Sequence, residues 1–510
     1  MKFERAAGLL LHPTSLPGRY GIGDLGDHAY RFVDFLKSAQ MGLWQVLPLG
    51  PTGYGDSPYQ CFSAFAGNPL VISPDKLLED GLLSPADLKD VPAFNPIEID
   101  FGWVIGYKTD LLRKAFANFQ KNEEKLSKEY IKAWKKFCKD NSEWLDDYAL
   151  FMSVKSHHGG VTWTQWSKDI AHRTPKAIKE WTKKLADDIE YQKFIQFNFF
   201  HQWMKLKHYA NENGIKIVGD LPIFIAYDSA DTWANKELFS VDDEGKLLTC
   251  AGVPPDYFSP TGQLWGNPLY NWDKMEADDF KWWRNRFSSL FEIMDIVRID
   301  HFRGFEAFWE IKGDAKTAEK GKWVKAPGKK LFSSIEKHLG QLPIIAEDLG
   351  VITDGVVALR DKFDFPGMKI MQFAFGTDME TKFLPHNYIP NCVVYTGSHD
   401  NDTTRSYFDT ARASKDKNDI YEFTQKYLNY YGDDVVNELI RVAYASVANT
   451  VVFPMQDLLN LGGEARMNFP GRLGGNWFWR FSWEQVPFGI ADRYKFLGDL
   501  YDRPVKKTIV

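Results

Sequence analysis

Cysteine is scarce in this chain: four among 510 residues, at Cys61, Cys138, Cys250 and Cys392, with no CxxC pair. That spacing excludes a zinc knuckle and a dithiol redox motif and fits a reducing compartment. A run of about 18 apolar residues is also missing, so no transmembrane helix is expected. The opening Met1-Lys2-Phe3-Glu4-Arg5 leads into Ala6-Ala7-Gly8-Leu9-Leu10-Leu11, too short an apolar run for a secretory signal. A cytoplasmic protein is the expectation, with no membrane partner. Lysine and arginine form no long tract and the net charge is -6. This argues against nucleic acid as a partner, because phosphate contacts dominate that affinity. Pairs such as Lys135-Lys136 and Lys183-Lys184 read as solvated helix faces. Histidines are scattered, and Asp242-Asp243-Glu244 lacks the spacing of a calcium loop. No metal and no cofactor are expected. Low-complexity linkers are absent too, so nothing divides the chain into independent domains.

Apolar material is plentiful: 44% hydrophobic residues and 15% aromatic, including 18 Trp, against 25% charged. Such a chain can bury a large core, which excludes disorder. Eight short runs rich in apolar or β-branched residues, at 8–12, 43–48, 215–220, 296–300, 343–347, 368–373, 392–396 and 451–455, alternate with segments of helical period. They predict an α/β fold, a (β/α)8 TIM barrel, with a doubly wound open sheet as the alternative. The long interval between the second and third runs predicts an insertion at about residues 51–195. Its charged, Trp-bearing stretches around Trp134 and Trp181 read as helices packed beside the barrel. A smaller insertion is expected at about residues 226–275. There Leu238-Phe239-Ser240-Val241, the turn Asp242-Asp243-Glu244-Gly245 and Leu247-Leu248-Thr249-Cys250 form a hairpin signal. A Pro- and Gly-punctuated loop follows at 254–268, of a length that a compact domain keeps for function. All 510 residues read as one barrel domain with mainly helical subdomains inserted on its C-terminal face.

Three of the apolar runs drive into carboxylates: Val297-Arg298-Ile299-Asp300-His301, Ile345-Ala346-Glu347-Asp348-Leu349-Gly350 and Tyr395-Thr396-Gly397-Ser398-His399-Asp400-Asn401. A charge at the end of a buried strand must meet solvent, a partner or a substrate. With Asp220 at the end of the third run, four carboxylates are expected at one barrel mouth. Asp348 and Asp402 fit helix capping or scaffolding better. Arg298 lies two residues before Asp300, on the same side of a strand, where it favours the ionised carboxylate. Glycosyl transfer needs such an ionised carboxylate as nucleophile, a second carboxyl that begins protonated, and surroundings that stabilise an oxocarbenium-like transition state. Most aromatics must be core, but those in loops, such as Tyr54, Tyr59 and Trp265, are candidate sugar platforms.

An ordered set of motifs then resembles one family over nearly the whole chain. It comprises Leu10-Leu11-His12-Pro13-Thr14-Ser15-Leu16-Pro17, Tyr54-Gly55-Asp56-Ser57-Pro58-Tyr59-Gln60, Gly219-Asp220-Leu221-Pro222-Ile223, the 254–268 loop, the three carboxylate motifs and Arg466-Met467-Asn468-Phe469-Pro470-Gly471. The chain resembles the 4-alpha-glucanotransferases called amylomaltase or disproportionating enzyme, glycoside hydrolase family 77 of the alpha-amylase clan. The resemblance implies Asp300 as nucleophile, Glu347 as general acid/base and Asp400 as transition-state stabiliser. It implies that Arg298 holds the nucleophile, His399 assists Asp400, Tyr59 stacks under the transferred sugar and Asp220 organises the site. Asp256, Gln263, Trp265 and Asn267 resemble the loop that covers the glucan, Asn468 a further sugar contact, and Tyr54 part of a secondary glucan site. The expected partners are α-1,4-glucans: maltooligosaccharides, amylose, starch or glycogen. A hydrolytic amylase of the same clan and a catalytically silent glucan-binding protein are the alternatives. The start of the chain, directly at the barrel, resembles the shorter bacterial form.

Overall fold

Runs such as Cys392-Val393-Val394-Tyr395, buried at every position, leave no face for water and form strands covered on both sides. The structure, a computed structural model, describes residues 3–255, 259–375, 381–414, 418–472 and 474–505. Twelve strands occur among them: β1 (Ala6–Leu10), β2 (Leu43–Gln45), β3 (Lys216–Pro222), β4 (Thr249–Val253), β5 (Gln263–Pro268), β6 (Ile296–Asp300), β7 (Ala307–Lys312), β8 (Gly321–Lys325), β9 (Ile344–Ala346), β10 (Gly367–Ile370), β11 (Cys392–Tyr395) and β12 (Thr450–Pro454). Eight of these close a barrel in the order β1-β2-β3-β6-β9-β10-β11-β12, and β12 returns to β1. Every pairing in it is parallel. The open doubly wound sheet is thereby excluded, and each of the eight predicted runs supplies one stave. Several strands end one to three residues before the expected runs, β1 at Leu10 and β2 at Gln45 among them, and two further ends bear on the site. β3 continues two residues past Asp220, and β10 stops at Ile370, where Met371–Ala374 turns into a short helix.

Between β2 and β3 the chain builds helices Phe101–Asn122, Lys128–Asp140, Ser142–His157, Pro175–Lys184 and Ala186–Glu212. Their starts follow local chemistry. Asp100, Ser127 and Thr174 each accept an N–H three residues on, and Pro175 occupies a first-turn position where its missing N–H costs nothing. The helix Ala186–Glu212 joins this region to the barrel. Gln196 accepts the Gly67 N–H at 2.7 Å and donates to the Gly67 carbonyl at 2.9 Å. Gln202 treats Ser73 the same way, at 2.7 and 3.2 Å. Both glutamines thus replace a strand partner for the segment that follows Tyr59. Gly67 is required there, because a Cβ would lie 1.9 Å from the Phe199 ring. Tyr148, Phe151, Trp163, Trp166 and Trp233 gather into a second hydrophobic core beside the barrel's own.

Trp203, on the same long helix, is fully buried and its indole N–H donates to the Ile293 carbonyl at 3.0 Å. Trp203→Ala is expected to cost about 3–5 kcal/mol through the cavity it leaves, plus the orphaned carbonyl. A thermal unfolding midpoint unchanged within error would show that the helix is not anchored there.

Outside the barrel, β5-β4-β7-β8 form an antiparallel sheet. The expected hairpin around residues 242–245 shrinks to a single bridge, Val241 to Leu247. The larger hairpin instead pairs β4 with β5, so the second half of the expected 254–268 loop is a strand. The physical reason is partnership: β4 also pairs with β7, which completes its ladder on the other side.

Candidate active site

In a parallel barrel all C-terminal strand ends open on one side, so side chains there share a mouth. Arg298 and Asp300 of β6 point to the same side by alternation. The ladder sets Arg298 directly opposite Asp220 of β3, in the interior rather than at a strand end. The Arg298 guanidinium joins two carboxylates. Nη1 donates to Asp220 Oδ1 at 2.8 Å and Oδ2 at 2.6 Å, while Nη2 donates to Asp300 Oδ1 at 3.0 Å. Side-chain exposure runs 0% for Asp220, 4% for Arg298 and 30% for Asp300. Only Asp300 in this cluster has an open face. Burial works against the Arg298 charge, but Asp220 and Asp300 outweigh it and hold the guanidinium well above its ordinary pKa. Burial also pushes Asp220 up to about 6 against the pull of Arg298.

Tyr59 seals the other side of Asp220. Its hydroxyl donates to Asp220 Oδ2 at 2.9 Å and lies 2.9 Å from His399 Nε2. Its ring stacks on His399 at 5.3 Å and leans on Trp477 at 6.0 Å. His12 is buried, and burial lowers its pKa to about 3, with the electrostatic influence of His399 acting the same way.

Glu347 follows β9, and its carboxylate accepts the N–H of His301 at 2.7 Å and of Leu349 at 2.8 Å. Burial raises its pKa to about 7; Asp300 pushes the same way, and Arg298 and the two N–H groups oppose. A carboxyl neutral near pH 7 beside an ion-paired carboxylate is the division of labour that acid-assisted displacement uses.

Asp400 sits in the turn after β11, which Ser398 and Asn401 close by hydrogen bonds. Its side chain is 44% exposed, and Oδ2 lies 3.4 Å from His399 Nε2. Oδ1 accepts from Asn468 Nδ2 at 2.7 Å, and the Asp400 carbonyl accepts from Arg466 at 3.0 Å. Trp265 of β5 packs edge-on to the His301 ring at 4.9 Å, and its indole N–H donates to Gln263 Oε1 at 3.2 Å. Asn267 turns into the protein. Its Nδ2 donates to the Ile225 carbonyl at 2.7 Å and its Oδ1 accepts from Gln60 at 3.3 Å.

The fold therefore brings Tyr59, Asp220, Arg298, Asp300, Glu347, His399, Asp400 and Asn468 into one hydrogen-bonded and charged neighbourhood, with Gln263 and Trp265 beside His301. Asn267 is spent on positioning the segment next to Tyr59. Asp256 and the side chain of Tyr54 lie outside the described residues. Asp348 and Asp402 take the scaffolding places expected of them. Asp348 accepts from Met368 N and Arg360, and Asp402 from Thr403 N and Ser406 Oγ. The backbone amides of His301 and Leu349 are not legible in sequence, and although Gly475-Asn476-Trp477 belongs to the resembling motifs, the place of the Trp477 ring against Tyr59 is not. An amide carries no residue-type signal, and a buried Trp resembles any other core aromatic.

The family model described as 4-alpha-glucanotransferase matches residues 11–485. The chain belongs to the 4-alpha-glucanotransferase family. It is 51% identical over 514 residues to the 4-alpha-glucanotransferase of Synechocystis sp., across 99% of each chain. The Thermus thermophilus 4-alpha-glucanotransferase is 50% identical over 488 residues, covering 94% of this chain and 95% of its own. Among solved structures, the amylomaltase from Streptococcus agalactiae in complex with acarbose superposes with a TM-score of 0.93 at 40% identity, over 98% of this chain and 100% of that one. Membership makes the chain a transferase of this class, in agreement with the motif resemblance.

Proposed function

We propose that this 4-alpha-glucanotransferase moves α-1,4-glucan segments from a donor maltooligosaccharide or starch-like glucan to the 4-hydroxyl of an acceptor glucan or glucose, by double displacement with net retention. Glu347 protonates the glycosidic oxygen while Asp300 attacks the anomeric carbon, giving a covalent glucosyl intermediate. An acceptor hydroxyl then attacks that carbon, Glu347 takes its proton, and Asp300 leaves. The observation that carries this reading is the graded exposure around Arg298: one carboxylate enclosed, one open, and a carboxyl of raised pKa alongside. Asp220 acts from beneath, holding Arg298 and Tyr59 rather than touching sugar. Asp400, kept in place by Asn468, binds sugar hydroxyls as charge develops at the anomeric carbon, with His399 assisting.

Esterification of Asp300 resets Glu347. While Asp300 is an anion it helps Glu347 keep its proton, and in the ester that repulsion is gone while Arg298 remains. The carboxyl becomes more acidic and can serve as base in the second half-reaction. Transfer exceeds hydrolysis when an acceptor reaches the intermediate ahead of water, and a covering segment at 254–268 with Trp265 is the means proposed here. On the same reading residues 51–195 and 226–275 are insertions that shape the glucan cleft, and the enzyme works in the cytoplasm.

Maltotriose as sole substrate tests the reaction class. Glucose together with maltooligosaccharides longer than the substrate is expected, with no net gain in reducing ends. Shorter sugars alone, with reducing ends rising bond for bond, would mean hydrolysis instead.

A further inference from the structure

The residue after the nucleophile has an unusual backbone. His301 takes φ 50° and ψ 49°, the left-handed region that Gly and Asn enter readily and β-branched residues do not. The turn aims two successive amides at one neighbour. His301 N–H donates to Glu347 Oε2 at 2.7 Å, and Phe302 N–H donates to the Glu347 carbonyl at 3.2 Å. A third stitch, from Glu347 N–H to the Ile299 carbonyl at 3.1 Å, ties the ends of β6 and β9 together. Leu349 N–H holds the other carboxyl oxygen at 2.8 Å. The side chain of His301 takes no part in this. Among the described residues its Nε2 has no hydrogen-bond partner, and its ring packs edge-on against Trp265. The His301 N–H lies in the peptide plane that precedes its φ, so an extended residue at this position would instead carry the next amide, that of Phe302, away from the Glu347 carbonyl, loosen the segment that bears the carboxyl, and delay the 3-10 turn Phe302–Phe305, whose bend begins here.

We propose that His301 is a positioning residue that acts through its left-handed backbone, aiming the Glu347 carboxyl at the glycosidic oxygen. Strain held in a backbone that the surrounding fold over-determines is a known way to preorganise a reacting group. The inference rests on the reading of Glu347 as proton donor.

Three variants separate backbone from ring. His301→Asn and His301→Gly lose the imidazole but accept a left-handed φ, whereas His301→Val loses the imidazole and resists it. Each is measured on maltotriose and on α-maltotriosyl fluoride, with glucose as acceptor, and the ratio of the two kcat/KM values is compared. Fluoride departs with little need of a proton, and the ratio is independent of how much of a variant is folded. In His301→Val the ratio should fall about tenfold to a hundredfold, the scale of misplacing a reacting group by about 1 Å. In His301→Asn and His301→Gly it should stay within about threefold of the starting enzyme, although both rates drop together from the lost packing on Trp265. A ratio that falls equally in all three, or in none, overturns the proposal. Glu347→Gln in the same assay tests the reading beneath it: if that ratio does not fall, Glu347 is not the proton donor, whatever the His301 variants do.

Discussion

Asp300→Asn is expected to lower glucan transfer from maltotriose by roughly ten-thousand-fold, about 5.5 kcal/mol of transition-state stabilisation, while the protein stays folded. The amide fills the same volume but cannot form the ester on which the proposed double displacement depends. Folding should survive because Arg298 keeps its bidentate partner Asp220, whose two contacts are shorter than the one to Asp300. The guanidinium is then less neutralised than before but still paired, so the severe penalty for an abandoned buried charge does not arise. Rates of maltotriose disproportionation, with a thermal melt as control, decide the matter. Activity within tenfold of the starting enzyme would remove Asp300 from the nucleophile's role.

Glu347→Gln is the second large effect, expected at about a hundred- to ten-thousand-fold on maltotriose, the usual reach of general acid and base catalysis. Its pattern is more informative than its size. The loss should be far smaller on maltotriosyl fluoride in the first half-reaction, and azide should rescue the second, since azide attacks without surrendering a proton. The pH profile follows from burial. A carboxyl raised to about 7 is protonated below that pH and ionised above it. The kcat/KM for maltotriose, which reports the free enzyme, should therefore fall as pH rises through about 7. That alkaline limb should vanish in Glu347→Gln. If the limb persists there, another group supplies the proton.

Much of the site was legible because its chemistry sits in short strings. Arg298 and Asp300 are two residues apart on one strand, so alternation alone puts both on the barrel's inner side. Glu347 and Asp400 each follow an apolar run that has no other place for a charge. Asp220 was the exception. It reads as a strand end, yet β3 continues to Pro222 and places it opposite Arg298 within the ladder. A strand's last residue depends on how far its neighbours extend, which local pattern does not encode. Asn267 likewise reads as a sugar contact, but both ends of its amide are taken by Ile225 and Gln60. The hairpin near residue 242 forms but stays short for a related reason: the turn chemistry closes it through Val241 and Leu247, while β4 takes β5 and β7 as its partners.

By itself, then, the order of residues determined eight buried strands, the helices between them and the presence of acids at strand ends, because apolar period and strand alternation act over a few residues. Closure of the barrel decided the rest. It set Asp220 against Arg298, Tyr59 against His399 and Asn468 against Asp400, pairs separated by 78, 340 and 68 positions. Which carboxylate is enclosed, which stays open and which keeps a proton depends on those pairings and on the water they exclude. No stretch of sequence carries that information locally, since desolvation and charge are properties of the space between elements.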